Sequence, residues 1–133
     1  MYEWKNEYAI GVERLDKAHK NMFAVMQRVR TMIAQGGNLK WAVMESLKFF
    51  RIYAINHFAD EEEFMREVGY ANYRRHKAVH DGMRDKILPR IYSQLEHSQY
   101  DEASINRYLS VCGQWLDRHI LGHDRDLVKW VED

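Results

Sequence analysis

Four residues in the middle of the chain have the types and spacing to hold a metal. They form two pairs, His57-Phe-Ala-Asp-Glu61 and His76-Lys-Ala-Val-His80, with fourteen residues between them. Residues four apart share one face of a helix, one turn from each other. A turn at Gly69-Tyr70 would fold one pair back beside the other. Imidazole nitrogens and carboxylate oxygens are ordinary ligands of first-row transition metals.

Apolar residues recur at helical spacing through most of the chain, and the pairs lie inside that pattern. Leu15, Met22, Met26, Val29 and Ile33 make the stripe of a first helix, with His19 in the remaining core place. That helix is expected to begin near Asp16 and to end at Gly36-Gly37. Residues 1–14 carry Trp4, Tyr8, Ile10 and Val12 without a helical period, which predicts an extended arm packed on the body. A second helix from about Leu39 to Val68 has the stripe Val43, Leu47, Phe50, Ala54, His57, Glu61, Phe64 and Val68. Of the acidic run Asp60-Glu61-Glu62-Glu63, only Glu61 is in register, so the other three are expected on a solvated face. The third helix starts near Ala71 and points His76, His80, Met83, Ile87 and Ile91 inward, with a kink or early stop expected at Pro89. After a polar connection at His97–Asp101, the fourth helix carries Ile105, Leu109, Cys112, Leu116 and His119 and is expected to stop at Gly122. The tail around Leu127–Val131 is apolar enough to pack back.

The fold class is therefore all-α. It is an antiparallel up-down-up-down four-helix bundle with an N-terminal arm and a short C-terminal segment, forming one domain over residues 1–133. In this topology His19, the His57/Glu61 pair, the His76/His80 pair and His119 fall at the same end and the same depth. A lone histidine on an apolar stripe is commonly a satisfied core residue. Five at one level, with a carboxylate, would leave many buried polar groups unpaired, at roughly 1–3 kcal/mol each. A metal is the physical answer. Asp124 lies five residues past His119. On a continuous ideal helix that is about 140° away, so Asp124 is expected over the site only if the chain turns at Gly122.

The bulk numbers are those of a globular chain: 46% hydrophobic and 30% charged. Lys+Arg and Asp+Glu balance at 20 each, which gives no electrostatic reason to expect nucleic acid or an anionic membrane as partner. No apolar run approaches the roughly 18 residues of a membrane span. The N-terminus is too polar for a signal peptide, and the single Cys112 excludes an internal disulfide, so the expected location is the cytoplasm.

Taken together, these residues resemble the bacterial hemerythrins, non-haem di-iron oxygen-binding proteins. The resemblance rests on Trp4…Ile10-Gly11-Val12…Asp16-Lys-Ala-His19, His57-Phe58-Ala-Asp-Glu61-Glu62…Met65…Gly69-Tyr70, His76-Lys-Ala-Val-His80 and Trp115-Leu116-Asp-Arg-His119-Ile120…Asp124. It implies two iron ions with an oxygen bridge. His76, His80 and His119 would bind one iron, His19 and His57 the other, and Glu61 and Asp124 both. Counting ligands then fills six positions on the first iron and five on the second. Dioxygen, the expected partner, would take the remaining position beside His19 and His57. Met22, Phe23, Phe58, Trp115, Leu116 and Ile120 lie within a turn of these residues, either as an apolar wall around that position or as plain core. The implied function is reversible dioxygen binding for storage, transport or scavenging, not enzymatic turnover. Oxygen or redox sensing through a separate protein, and removal of peroxide or nitric oxide, remain alternatives. His97 and His123 are expected to be exposed and off the metal. Accordingly, His119→Ala should lose metal while His97→Ala keeps it, as measured by metal content after reconstitution; equal behaviour of the two variants would overturn the assignment.

Overall fold

The computed structural model describes residues 4–36 and 38–132, so Gly37, half of the expected first stop, lies outside the described residues. The architecture is all-helical, with four antiparallel rods. The first rod is α1 (Glu13–Gln35) and the second is α2 (Leu39–Glu67). The third rod joins α3 (Tyr73–Gly82), a π-helical stretch Met83–Ile87, and α4 (Leu88–His97). The fourth joins α5 (Glu102–Arg118), a second π-helical stretch His119–Asp124, and α6 (Arg125–Glu132). Among the described residues no helix is long and apolar enough to cross a membrane.

Local chemistry fixes where each rod starts and stops. Gly36 ends α1 in the left-handed region at φ 71°, its N–H bonded to the Met32 carbonyl at 3.1 Å. Asn38 then caps α2 by accepting from the Trp41 N–H at 3.1 Å. At the far end Gly69 adopts φ 62°. The Tyr70 N–H reaches the Met65 carbonyl at 2.9 Å and the Gly69 N–H reaches Arg66, a Schellman turn that sends the chain back toward His76. Asp101 caps α5 through the Ser104 N–H at 2.8 Å.

The arm packs as the sequence predicts, although α1 begins three residues before Asp16. A short 3-10 turn at Asn6–Tyr8 buries Tyr8, whose hydroxyl donates to Asp117 at 2.5 Å. The Asp16 carboxylate accepts from the Ile10 and Gly11 N–H groups at 2.8 and 3.1 Å, so this first-turn residue ties the arm to α1. The main core runs the length of the bundle, and a smaller cluster of Met65, Tyr70 and Leu127 closes the end near the α2–α3 turn.

Three sequence expectations need correction. Pro89 neither stops nor breaks the third rod. It sits in the first turn of α4, where a missing N–H is tolerated, and the π-helical stretch just before it bonds the Leu88 N–H to Met83. Nor does Gly122 end the fourth rod, because the chain runs on helically to Glu132. The second half of α2 buries His57, Phe58, Glu61, Glu62 and Met65, whereas Phe64 and Val68 are only half-buried. A strict seven-residue repeat drifts by about 20° per heptad against a straight helix, so a stripe extended over 29 residues loses register. The tail does pack back, as α6, with the Trp130 indole N–H bonded to the Val68 carbonyl at 3.1 Å. A glycine inside a helix with open space around it gains from a side chain. We therefore expect Gly122→Ala to raise stability by about 0.5–1 kcal/mol in denaturant unfolding; a helix-ending glycine would show the opposite sign.

Candidate metal centre

Each rod contributes to one buried cluster. His19 comes from α1 and His57, Glu61 and Glu62 from α2; His76 and His80 come from α3, and His119 and Asp124 from the fourth rod. All eight side chains are buried, and Glu61, His80 and Asp124 are wholly so. Asp124 reaches the cluster because His119–Asp124 is π-helical. Bonding from i to i+5 brings a residue five positions on to the place that i+4 would hold in an α-helix. The Arg125 N–H duly bonds to the Ile120 carbonyl.

The two central carboxylates each span two groups of histidines. Glu61 Oε1 lies 2.6, 3.2 and 3.5 Å from Nε2 of His76, His80 and His119, while its Oε2 faces Nε2 of His57 at 3.3 Å. Asp124 Oδ1 lies 3.1 Å from Nε2 of both His76 and His119, and its Oδ2 is 3.3 Å from Nε2 of His19. The histidines therefore divide into a group of three and a group of two, with one oxygen of each carboxylate turned to each group.

The donor set fits a cation. Nε2 of His19 and His57 are 2.9 Å apart, and His119 Nε2 is 3.2 and 3.0 Å from those of His76 and His80. His80 Nδ1 donates to Glu62 Oε2 at 2.7 Å, which leaves its Nε2 as a lone pair aimed into the cluster. Both oxygens of Glu61 and of Asp124 lack a well-formed hydrogen bond, as does Nδ1 of His19, His76 and His119. The lone pairs that converge here, on the carboxylate oxygens and on Nε2 of the histidines, are what a metal ion satisfies. Five of these residues, Glu61, His76, His80, His119 and Asp124, can place one donor atom each within 4.8 Å of one another, and so can His19, His57 and Glu61.

The carboxylates and imidazoles of the cluster shift one another's ionisation. Burial disfavours ionisation of Glu61, yet the close approach of the Asp124 carboxyl, and then of His119, His57 and His76, holds it well below the usual carboxylate range. Asp124 is likewise held low: burial and the Glu61 charge oppose ionisation, and His119 outweighs them. Burial would also lower His119, but Asp124 and Glu61 push it up to about 10, and His76 rises for the same reasons. His57 goes the other way, lowered by burial more than Glu61 raises it.

Aromatic rings wall the cluster unevenly. Phe58 stacks on His80 with centroids 4.1 Å apart, and Trp115 stacks on His119 at 4.4 Å. Met22, Leu116 and Ile120 are buried in the adjoining core, whereas Phe23 stacks on Tyr8 at 5.0 Å and serves the arm. Sequence reasoning missed two residues. Glu62, expected in solvent, is buried against His80 and bonded to Arg84 at 3.0 Å. Arg84 in turn holds Asp81 at 2.6 Å and lies over the Phe58 ring. Tyr53 stacks on His57 at 5.0 Å, and burial, then the charges of Glu61 and Asp124, push its hydroxyl well above the ordinary value. Both were readable in principle: Tyr53 stands four residues before His57, and Glu62 five after it, on a broad buried face. His123, expected exposed, is half-buried with its ring 5.5 Å from His76, while His97 is exposed as expected.

Among the described residues, clefts reach the cluster from two sides. One of about 600 Å³ is lined by Trp115, His119 and His123. A smaller one of about 250 Å³ between α1 and α2 ends at Tyr53 and His57.

A four-helix bundle around a buried His/Glu/Asp cluster defines a metal-binding helical protein. The chain belongs to the hemerythrin HHE cation binding domain family, whose model matches residues 10–131. It is similar to a bacteriohemerythrin of Clostridium acetobutylicum, 25% identical over 130 residues that cover 96% of this chain and 99% of that protein. A bacteriohemerythrin of Stenotrophomonas maltophilia is 28% identical over 92% of this chain and 76% of its own length. A hemerythrin subunit of Sipunculus nudus is 29% identical over 65% of each chain. The Glu62 carboxylate behind His80 orients that imidazole toward the cluster. Glu62→Ala should keep the helical fold but weaken metal retention about 10–100-fold, measured by competition with a chelator; retention equal to the parent would remove Glu62 from the site.

Proposed function

We propose that the chain binds dioxygen reversibly at two iron ions held by His19, His57, Glu61, His76, His80, His119 and Asp124. The observation that carries this reading is the division of oxygens: Glu61 and Asp124 each turn one oxygen to the three-histidine group and the other to the two-histidine group. In this reading His76, His80 and His119 hold one iron, and His19 and His57 hold the other. Mixed imidazole and carboxylate donors in such number suit iron rather than a tetrahedral zinc site. When bound, the iron pair supplies two electrons formally to dioxygen and recovers them on release.

The chain's own residues keep this exchange reversible. Five neutral imidazoles against two anions stabilise high-valent iron less than a carboxylate-rich set does, which favours binding over oxidation of a substrate. Phe58, Trp115, Leu116, Ile120 and Met22 exclude water from the cluster, and a dry surrounding slows loss of a charged product. Glu62 fixes the tautomer and orientation of His80. The family relationship supports the same reading, since the similar proteins are named as bacteriohemerythrins and, in one case, as part of a hemerythrin. Residues 1–133 act as one domain, and the lone buried Cys112, with no partner for a disulfide, suits a reducing cytoplasm. Reduced protein mixed with oxygen should carry about two irons per chain and show a visible charge-transfer band that disappears when oxygen is removed. Failure to take up iron, or irreversible bleaching with turnover of a substrate, would overturn the proposal.

A further inference from the structure

Tyr53 is a buried side chain that the site as described does not use. Its hydroxyl is enclosed and has no hydrogen-bond partner. Other tyrosine hydroxyls in the molecule are satisfied: Tyr8 by Asp117, Tyr73 by Arg66, Tyr100 by Glu96 and Tyr108 by Ser46. A buried hydroxyl left without a partner destabilises the fold, and phenylalanine would fill the same space without that penalty. The position of Tyr53 suggests what the hydroxyl is for. Its ring lies nearly flat on His57, at 15° and 5.0 Å, and His57 Nε2 meets His19 Nε2 at 2.9 Å. Tyr53 therefore borders the two-histidine side of the cluster and not the three-histidine side, which Phe58 and Trp115 cover. The cleft between α1 and α2, about 250 Å³, includes Tyr53 and His57 in its lining, with Ala18, Asn56 and the Asp60 carboxylate beside them.

We propose that the Tyr53 hydroxyl is the hydrogen-bond donor to a small ligand that enters through this cleft and sits beside His19 and His57. The ligand class is a diatomic or linear triatomic species that carries negative charge on its outer atom once bound, such as dioxygen or azide. This inference rests on the function proposed above and adds a specificity-determining residue to it. A neutral phenol donates one hydrogen to such an atom, and that bond forms only with the ligand in place. It should act on ligand escape more than on entry. The cleft residues govern entry and escape alike.

The test uses the iron-loaded full chain and azide. For Tyr53→Phe we expect unchanged iron content, azide binding weakened about ten-fold through faster release, and a shifted azide stretching frequency. Ala18→Leu, which narrows the cleft, should slow association and release together and leave the equilibrium constant unchanged. Tyr53→Phe that unfolds at higher denaturant while its azide affinity, release rate and vibrational frequency match the parent would overturn the donor role, leaving the oxygen-binding reading in place. Unchanged azide kinetics in Ala18→Leu would overturn the entry route. A parent protein that takes up no iron would overturn both this inference and the function beneath it.

Discussion

Two ionised carboxylates and five imidazoles meet in the dry interior of a chain of only 133 residues. Charge buried without compensation costs on the order of several kcal/mol per ion, as much as a large truncation in the core. The cluster holds together only when all four rods deliver their side chains at one depth. Turn chemistry sets those depths. Gly36 and Asn38 fix how α2 follows α1, which brings His57 level with His19. The Schellman turn at Gly69 fixes how α3 follows α2, which brings His76 within 2.6 Å of Glu61. A shift of one residue at either turn would swing a histidine by about 100° away from the others.

Both π-helical stretches lie beside the cluster. The first, Met83–Ile87, begins three residues after His80, and the second opens at His119 itself. In the second stretch the wider turn is what brings Asp124 inside. In the first it precedes Pro89 and lets the third rod continue past a residue that cannot donate. Both stretches adjoin residues of the cluster, a placement often seen for π turns at functional sites.

The two halves of the cluster are built differently. The three-histidine half is stacked under Phe58 and Trp115 and fastened from behind by the chain His80–Glu62–Arg84–Asp81. Among the described residues the two-histidine half shows no comparable chain of ion pairs: His57 lies against Tyr53, beside a cleft between α1 and α2. On the proposed reading this asymmetry separates a firmly held metal position from one that an outside ligand can reach. The aromatic rings, the buried carboxylate and the cleft would then serve a single division of labour.

Periodicity and spacing were enough to give the all-helical class, the four rods and six side chains of the cluster, His19, His57, Glu61, His76, His80 and His119, because both are local and additive along a helix. His19, 38 residues from His57, was legible because both sit on core stripes at matched distances from one turn. The same reasoning failed where helix geometry departed from the ideal. Asp124 joins the cluster through a π turn within a continuous rod, not through a stop at Gly122, and the periodicity of an ideal helix does not anticipate that turn. Glu62 looked solvated because a heptad stripe carried along 29 residues drifts out of register. Its burial and its bond to His80 exist only once α2 and α3 pack. Which carboxylate oxygen faces which histidine, and on which side a cleft opens, were likewise settled by packing between rods. Those are distances between residues far apart in the chain, and no local pattern encodes them.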